Sequence, residues 1–297
     1  MSLSSAAINA AFTLPACDGS FDPEFCEYLG DLSSLRASVV LAFAPKAAGT
    51  YLRSAAIAAT GGQLVRTVHA QGGRDASFYL PAFLLYYAGG YPARTLVTHV
   101  HMQALPANRT FISALGLKPV IMLRAIPDML ASYADMLDGD PHSPDNWLNI
   151  RLPENYADLD ADQKGDFLID MMAPWYMSYF ATWMEFAATS RDVLVLHYDE
   201  FCADPAAVLM RLLHHSGLPR SQAQCQAALE GAWAERGSLR YNQGVSGRGC
   251  SRFTPQQIAR LERQLDYYPG LAILKRTLIP LPSASSSQKP ARPSAAA

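Results

Sequence analysis

Four short apolar runs separated by helix-length segments are the feature that most constrains the fold of this chain. The runs cover residues 39–44, 95–100, 120–123 and 193–197. Short runs without polar alternation are typical of strands buried on both faces, and such strands occur in parallel sheets that helices cover on both sides. We therefore predict an α/β fold with a central parallel sheet flanked by helices.

Helix start and stop signals lie between and after these runs. They predict helices over residues 51–60, 127–137, 175–189, 204–216 and 254–265. The first helix ends before Gly61-Gly62 and the fourth before Gly217, while the last opens on the capping box of Thr254 and Gln257.

The length of 297 residues allows a large core without disulfides or metals. We predict a single domain over residues 1–282, with its core in residues 39–270, and a disordered tail over residues 283–297, which are rich in Ser, Ala and Pro. The polar residues 138–164 are predicted to form either a lid over a site or a solvated connector.

Composition argues against several classes of partner. The net charge of −2 provides no basic surface for nucleic acid or an anionic membrane. The five cysteines are scattered without a C-x-x-C motif, which predicts reduced thiols in the cytoplasm and no disulfide or metal site. No secretory signal or run of about 18 apolar residues is visible. We expect a cytoplasmic protein, and leave its oligomeric state open.

The first apolar run ends in a loop that predicts an anion-binding site. Residues 39–52 read VVLAFAPKAAGTYL, a strand that turns through a small-residue loop into a helix. Backbone N–H groups and the helix dipole favour a phosphate at such a turn, where Lys46 adds a charge and Thr50 a hydroxyl. Lys46 precedes Gly49 by three residues, so the loop differs from the NTPase pattern G-x-x-x-x-G-K-[ST]. The plain alternative is a buried strand with a surface lysine.

A second strand-to-helix junction predicts a second phosphate site. Arg124 follows the run at 120–123, and Ser132 lies eight residues later, in the helix that begins near Pro127. An arginine fork and a hydroxyl near a helix start suit a phosphate group. Two such sites on neighbouring strands indicate a ligand with phosphates at two positions. The alternative for Arg124 is an ion pair with Asp128 or another carboxylate.

These two junctions resemble the sulfotransferase family, which transfers a sulfuryl group from 3′-phosphoadenosine 5′-phosphosulfate to an acceptor. Residues 45–52, PKAAGTYL, are similar to the PKSGTTWL-like loop that binds the 5′ phosphosulfate in the family. Arg124, Asp128 and Ser132 keep the spacing of the family's 3′ phosphate motif R-N-P-x-D-x-x-x-S, with the proline shifted to Pro127.

Two further segments resemble the family in the correct order. Residues 97–106 are similar to the segment K-T-H-L-P-x-x-L-L-P, which puts His99 at the position of the catalytic histidine and Val97 at that of the lysine. The segment around Tyr198 is similar to Y-E-D-L…D-P, whose tyrosine lies against the adenosine.

The last matching segment is the C-terminal loop R-K-G-x-x-G-x-x-x-x-x-F-T. Gly244 and Gly247 match its glycines, but Asn242 and Gln243 replace its two basic residues. The resemblance implies that Gly244 donates to the 3′ phosphate and that Arg240 or Arg248 supplies the missing charge. Trp233 falls near the aromatic residue that stacks on adenine, although a helix tryptophan also suits a core position.

The resemblance implies a complete set of roles. His99 is the general base, with His101 as the alternative two residues along the same strand, and Lys46 stabilises the leaving phosphate. No metal is implied, and the acceptor is an unidentified small molecule or glycan with a hydroxyl or an amine. The residues expected to bind the donor are Lys46, Ala47, Ala48, Gly49, Thr50, Tyr51, Arg124, Ser132, Tyr198, Trp233, Gly244 and Arg248.

Two other functions are considered. A P-loop kinase-like phosphotransferase would need a lysine after the glycine and an acidic Mg²⁺ site, and the sequence shows neither. A catalytically inactive nucleotide-binding homologue would account for Val97, Asn242 and Gln243 at positions where the family has basic residues.

Overall fold

The sheet is the centre of the molecule, and its five strands are all parallel. The computed structural model describes residues 37–68, 77–88, 95–139, 152–235 and 246–281, together with Glu27 and Asp31. The strand order is β2-β3-β1-β4-β5. The strands are β1 (Ala37–Leu41), β2 (Gln63–Val65), β3 (Thr95–His99), β4 (Pro119–Leu123) and β5 (Leu194–His197).

The strand order places a crevice at the carboxyl ends of the central strands. The chain runs from β1 outwards to β2, returns through β3, and then crosses to the other side of β1 as β4. Leu41 pairs with His99 on one side and with Val120 on the other. In open parallel sheets the ligand site lies at such a switch point. The predicted α/β fold with a central parallel sheet is confirmed, and its crevice lies at the end of β1.

Helices cover the sheet; the five predicted ones are present to within two residues at each end, and seven others in the described residues were not predicted. Thr254 and Gln257 form the predicted capping box, and the Asp204 side chain accepts a hydrogen bond from the backbone N–H of Ala207 at 2.9 Å. The helices are α1 (Gly49–Thr60), α2 (Leu80–Ala88), α3 (Pro106–Ala114), α4 (Ile126–Gly139), α5 (Ala161–Met171), α6 (Ala173–Thr189), α7 (Tyr198–Ala203), α8 (Pro205–His215), α9 (Gln222–Ala234), α10 (Gly249–Arg252), α11 (Pro255–Leu265) and α12 (Lys275–Leu278), with 3-10 helices at Tyr156–Asp158 and Pro269–Leu274.

The polar segment 138–164 contains more regular structure than predicted. Its end holds the 3-10 helix Tyr156–Asp158 and the first turn of α5, which Asp160 and Gln163 open as a second capping box. The D-x-x-Q spacing of that box is visible in the sequence and explains why the helix begins at this point. Residues 140–151, which include the rest of the predicted lid or connector, and the predicted tail 283–297 lie outside the described residues.

Helix α6 fixes the loops that leave β1 and β3. Its side chains Tyr176, Tyr179 and Trp183 are fully buried. The Tyr179 hydroxyl donates to the Ala42 carbonyl, the Tyr176 hydroxyl to the Pro45 carbonyl at 3.3 Å, and the Trp183 indole N–H to the Met102 carbonyl at 2.9 Å. Burial raises the pKa of both tyrosines well above the ordinary value, so they stay neutral donors. These hydrogen bonds satisfy three backbone carbonyls in the loops at the crevice, which do not pair with a neighbouring strand.

Candidate active site

The loop between β1 and α1 has the backbone geometry of an anion site. Lys46 and Ala48 both adopt left-handed conformations, with φ of 65° and 61°. Ala48 precedes the first turn of α1, and no side chain caps that turn by a hydrogen bond. Ala47, within the loop, is fully buried, and Thr50 lies in the first helical turn. Left-handed alanine costs about 1–2 kcal/mol, a strain that is typical of binding sites.

His99 lies directly on the first residue of α1. A Cβ placed at Gly49 would stand 2.2 Å from Nε2 of His99, so a larger residue there requires the imidazole or the start of α1 to shift. His99 is the last residue of β3 and is 7% exposed. The close approach favours glycine at position 49, because the imidazole occupies the space beside it.

His101 stands against His99 and is held by the backbone. Its ring centroid is 4.9 Å from that of His99, with the two rings perpendicular. Nδ1 of His101 lies 2.6 Å from the carbonyl oxygen of Phe43. A carbonyl oxygen only accepts, so Nδ1 carries the proton and a neutral His101 keeps its lone pair on Nε2. The two candidate bases are therefore in contact, and the Phe43 carbonyl orients the ring of His101.

Arg124 connects the two predicted phosphate sites. Its guanidinium donates to the backbone carbonyl of Lys46 and lies 3.9 Å from the centre of the Tyr198 ring. Arg124 is 7% exposed. The Asp128 carboxylate, suggested as an ion-pair partner, accepts the backbone N–H groups of Gly247 and Gly249, each at 2.7 Å. Sequence reasoning assigned no anchoring role to Asp128, whose bonds hold the C-terminal loop against the start of α4.

Lys46 extends along the face of α4 that carries Ser132. Its ammonium lies 3.1 Å from the sulfur of Met136, one turn after Ser132. Residues four apart share one face of a helix, so Ser132 and Met136 face the same side. Ser132 is buried at 5% exposure. Lys46, Arg124 and Ser132, predicted from separate segments, are thus brought to one crevice.

Arg248 lies nearby but is paired with a carboxylate. It donates to Asp135 at 2.6 Å, and both side chains are largely buried. Arg252 contacts Asp135 and Asp138 at 3.4 Å each. Gly244 and Arg240 lie outside the described residues. The predicted phosphate role of Arg248 stays a prediction, and the structure adds that Asp135 competes for its guanidinium.

An aromatic cluster flanks the crevice where the adenine is expected. Tyr51 has ring contacts with Trp233 at 6.2 Å and with Phe201 at 6.0 Å, and Phe201 in turn contacts Tyr198 at 5.9 Å. The Tyr51 hydroxyl donates to the Leu229 carbonyl at 3.0 Å, which ties α1 to α9. Phe201 was not among the predicted site residues; its signal is the aromatic residue three positions after Tyr198, on the same face of α7.

Two classes of feature are absent from the part of the chain that the structure describes. No group of three His, Cys, Asp or Glu side chains there has the arrangement of a metal site. None of the helices described has both the length and the apolar character needed to cross a membrane.

The fold and the crevice define a class of structure: the chain has the P-loop-like α/β fold of the sulfotransferases. Among solved structures, it is similar to mouse sulfotransferase SULT7A1 in complex with PAP, with a TM-score of 0.59 and 17% sequence identity. The match covers 84% of this chain and 91% of the mouse chain. No family model matches the chain. A search of curated proteins likewise finds no match.

Proposed function

We propose that the protein is a sulfotransferase that moves a sulfuryl group from 3′-phosphoadenosine 5′-phosphosulfate to a hydroxyl or an amine of an acceptor. The observation that carries this proposal is the position of His99 on Gly49, at the uncapped start of α1 and beside the loop that carries Lys46. A candidate base, a cation and a set of backbone donors therefore meet at one point. The likeness in fold to a sulfotransferase crystallised with PAP supports the same assignment.

The residues present fit the donor. The left-handed loop and the first turn of α1 provide N–H groups for the phosphosulfate end, with Lys46 adjacent. Arg124 and Ser132 stand at the second junction for the 3′ phosphate, and Gly244 is the expected backbone donor there. Tyr51, Tyr198 and Trp233 belong to the aromatic cluster that would contact the adenine.

The donor supplies an activated sulfuryl group whose leaving phosphate gains negative charge as the bond to sulfur breaks. Lys46 and the backbone N–H groups of Ala48, Gly49 and Thr50 stabilise that charge, because fixed donors in a buried site need no reorganisation. His99 removes the proton of the attacking hydroxyl or amine. No described residue is proposed to hold a metal for this reaction.

We assign the base to His99 and a positioning role to His101. The hydrogen bond from Nδ1 of His101 to Phe43 fixes its ring, and that ring stands perpendicular to the ring of His99 at 4.9 Å. His101 thereby limits the orientations open to His99. His99 in turn lies on the helix that would hold the phosphosulfate, which places it closer to the reacting group than His101.

The acceptor class that we propose is a small molecule or a glycan in the cytoplasm, with neither nucleic acid nor a membrane as partner. The net charge of −2 supports this choice, since it offers no broad basic surface. Arg124 is proposed as the main cation for the 3′ phosphate, because Asp135 already binds Arg248.

Two measurements test the proposal. Calorimetry with PAP should show saturable binding of one molecule per chain, and an absence of binding would refute the donor site. Incubation with the sulfated donor and a library of phenols, alcohols, amines and glycans should then produce an acceptor heavier by one sulfuryl group. Binding of PAP without transfer to any acceptor would favour the inactive nucleotide-binding homologue instead.

A further inference from the structure

A cavity of about 310 Å³ lies where the end of α4 meets the 3-10 helix at Tyr156–Asp158, α5 and α10. One water molecule occupies about 30 Å³ in the liquid, so the cavity has room for a small ligand together with its waters. Its lining combines one acidic, two basic and one phenolic side chain with three apolar residues. The lining residues are Leu137, Asp138, Tyr156, Ala157, Ala161, Lys164 and Arg252.

The Tyr156 hydroxyl is a buried donor that the described residues leave unused. Tyr156 is 2% exposed, and its hydroxyl oxygen is buried without a hydrogen-bond partner. Burial, with a smaller contribution from the charge of Asp138, raises the pKa of Tyr156 to about 12, and the charge of Arg252 opposes this rise. The phenol therefore stays protonated at neutral pH and has an O–H to donate. Leaving such a group unpaired is costly, which favours a ligand or water at this place.

The charged side chains of the cavity also have more donors than acceptors. Asp138 accepts one bond from Lys164 at 3.1 Å and one from Arg252 at a long 3.4 Å. Asp135 takes a second long contact from Arg252 and a short one from Arg248. An ammonium carries three N–H donors and a guanidinium five, so both cations keep unused N–H groups. A ligand that matches this surplus must bring acceptor oxygens and negative charge.

The cavity is separate from the proposed transfer crevice. Met136 faces Lys46, whereas Asp138 follows two residues later and projects about 200° further around the helix. The cavity therefore lies on a different face of α4 from Lys46 and Ser132. Lys164, whose ammonium stands 5.4 Å from the centre of the Tyr156 ring, closes it on the α5 side.

We propose that this cavity binds a small oxyanion, a sulfate, phosphate or carboxylate group, through Tyr156, Lys164 and Arg252. The bound oxyanion connects the end of α4 with α5 and with α10, the helix that directly follows Arg248. This anion site does not depend on the transfer reaction proposed above.

Selenate, an analogue of sulfate with a strong anomalous signal, locates the site directly in crystals of the full chain. An anomalous peak is expected in the cavity, at a position from which the selenate oxygens are within hydrogen-bond distance of Oη of Tyr156 and Nζ of Lys164. A peak only in the crevice at Lys46, or none at all in the cavity, overturns the proposal. Because the peak gives a position, failure at this cavity is distinguishable from failure of the donor crevice.

Thermal unfolding in increasing sulfate provides the solution test, with selenate and acetate as further probes. Tyr156→Phe and Lys164→Met each remove one donor group and keep most of the side-chain volume. Each is expected to weaken the sulfate affinity, derived from the saturable rise in melting temperature, by about tenfold. The matched control is Lys118→Met, an exposed lysine that does not line the cavity. Equal sulfate responses in all four proteins would indicate only general salt stabilisation and would overturn the proposal.

Discussion

Nε2 of His99 occupies the place beside Gly49 that the Cβ of any other residue would need, with only 2.2 Å between the two positions. Gly49→Ala is therefore expected to displace the imidazole or the start of α1. We expect transfer to fall by at least about tenfold, and overpacking to cost about 1–3 kcal/mol of unfolding free energy. Turnover and chemical denaturation measure the two effects.

The control for that change is Gly231→Ala in α9, where nothing lies within 4 Å of an added Cβ. This variant should keep full activity and gain about 0.5–1 kcal/mol, because alanine favours the helix. Normal activity of Gly49→Ala would show that the contact with His99 does not matter for transfer.

Lys46→Ala should lower turnover of a working acceptor by about 10²–10³-fold, since it removes a cation from the developing charge. Its melting temperature should stay close to that of the wild type because Lys46 lies in a loop. Lys118→Ala is the control lysine variant. Near-normal turnover of Lys46→Ala would defeat the assignment of Lys46 to the leaving group.

His99→Ala should keep PAP binding and abolish transfer, whereas His101→Ala should lower kcat and leave a measurable rate. The reason is that His101 acts through the orientation of His99. Single-turnover rates across pH separate the two roles. If His99→Ala keeps full activity and His101→Ala loses it, the base is His101 and the assignment to His99 is wrong.

Arg124→Lys should weaken PAP binding by about 10–100-fold, although it keeps the charge. Lysine cannot reproduce both the bond to the Lys46 carbonyl and the stacking on Tyr198. Calorimetry measures the loss. Arg211→Lys, at the exposed pair with Glu200, is the matched control and should bind PAP normally; equal affinities of both variants would contradict the role of Arg124.

Alkaline pH should destabilise the protein through its buried tyrosines. Tyr156, Tyr176 and Tyr179 all have a pKa raised above the unfolded value of 10.0, chiefly by burial, so the folded state binds their protons more tightly. The contribution of these tyrosines to the free energy of unfolding is complete below pH 10 and is lost as the pH rises towards 12 and beyond. Tyrosinate absorbance should rise together with the loss of circular dichroism. Early ionisation of these residues in the folded protein would contradict their burial.

Most of the sheet and five of the twelve helices in the described residues were predictable because their signals are local. Apolar runs marked four of the five strands to within three residues at each end, and the capping box of Thr254 and Gln257 marked α11. The edge strand β2 was missed, since three residues of which two are exposed carry no apolar run. The predicted strand 39–44 ends at Leu41, because the carbonyls of Ala42 and Phe43 bind Tyr179 and His101 instead of a neighbouring strand.

The site was predictable as a set of residue types but not as a set of contacts. Family-like spacing indicated Lys46, His99 and Arg124, and the structure brings all three to one crevice. The pairing of Arg248 with Asp135 joins residues 113 positions apart, so no local pattern signals it. The cavity at Tyr156 likewise needs three parts of the chain that are distant in sequence: the end of α4, residues 156–164 and α10.

The three carbonyls held by Tyr176, Tyr179 and Trp183 give the donor half of the crevice a rigid support, because all three side chains are fully buried in the core. Mutations that change acceptor preference are therefore best sought away from α6, where a new substrate can be accommodated while the nucleotide machinery stays unaltered.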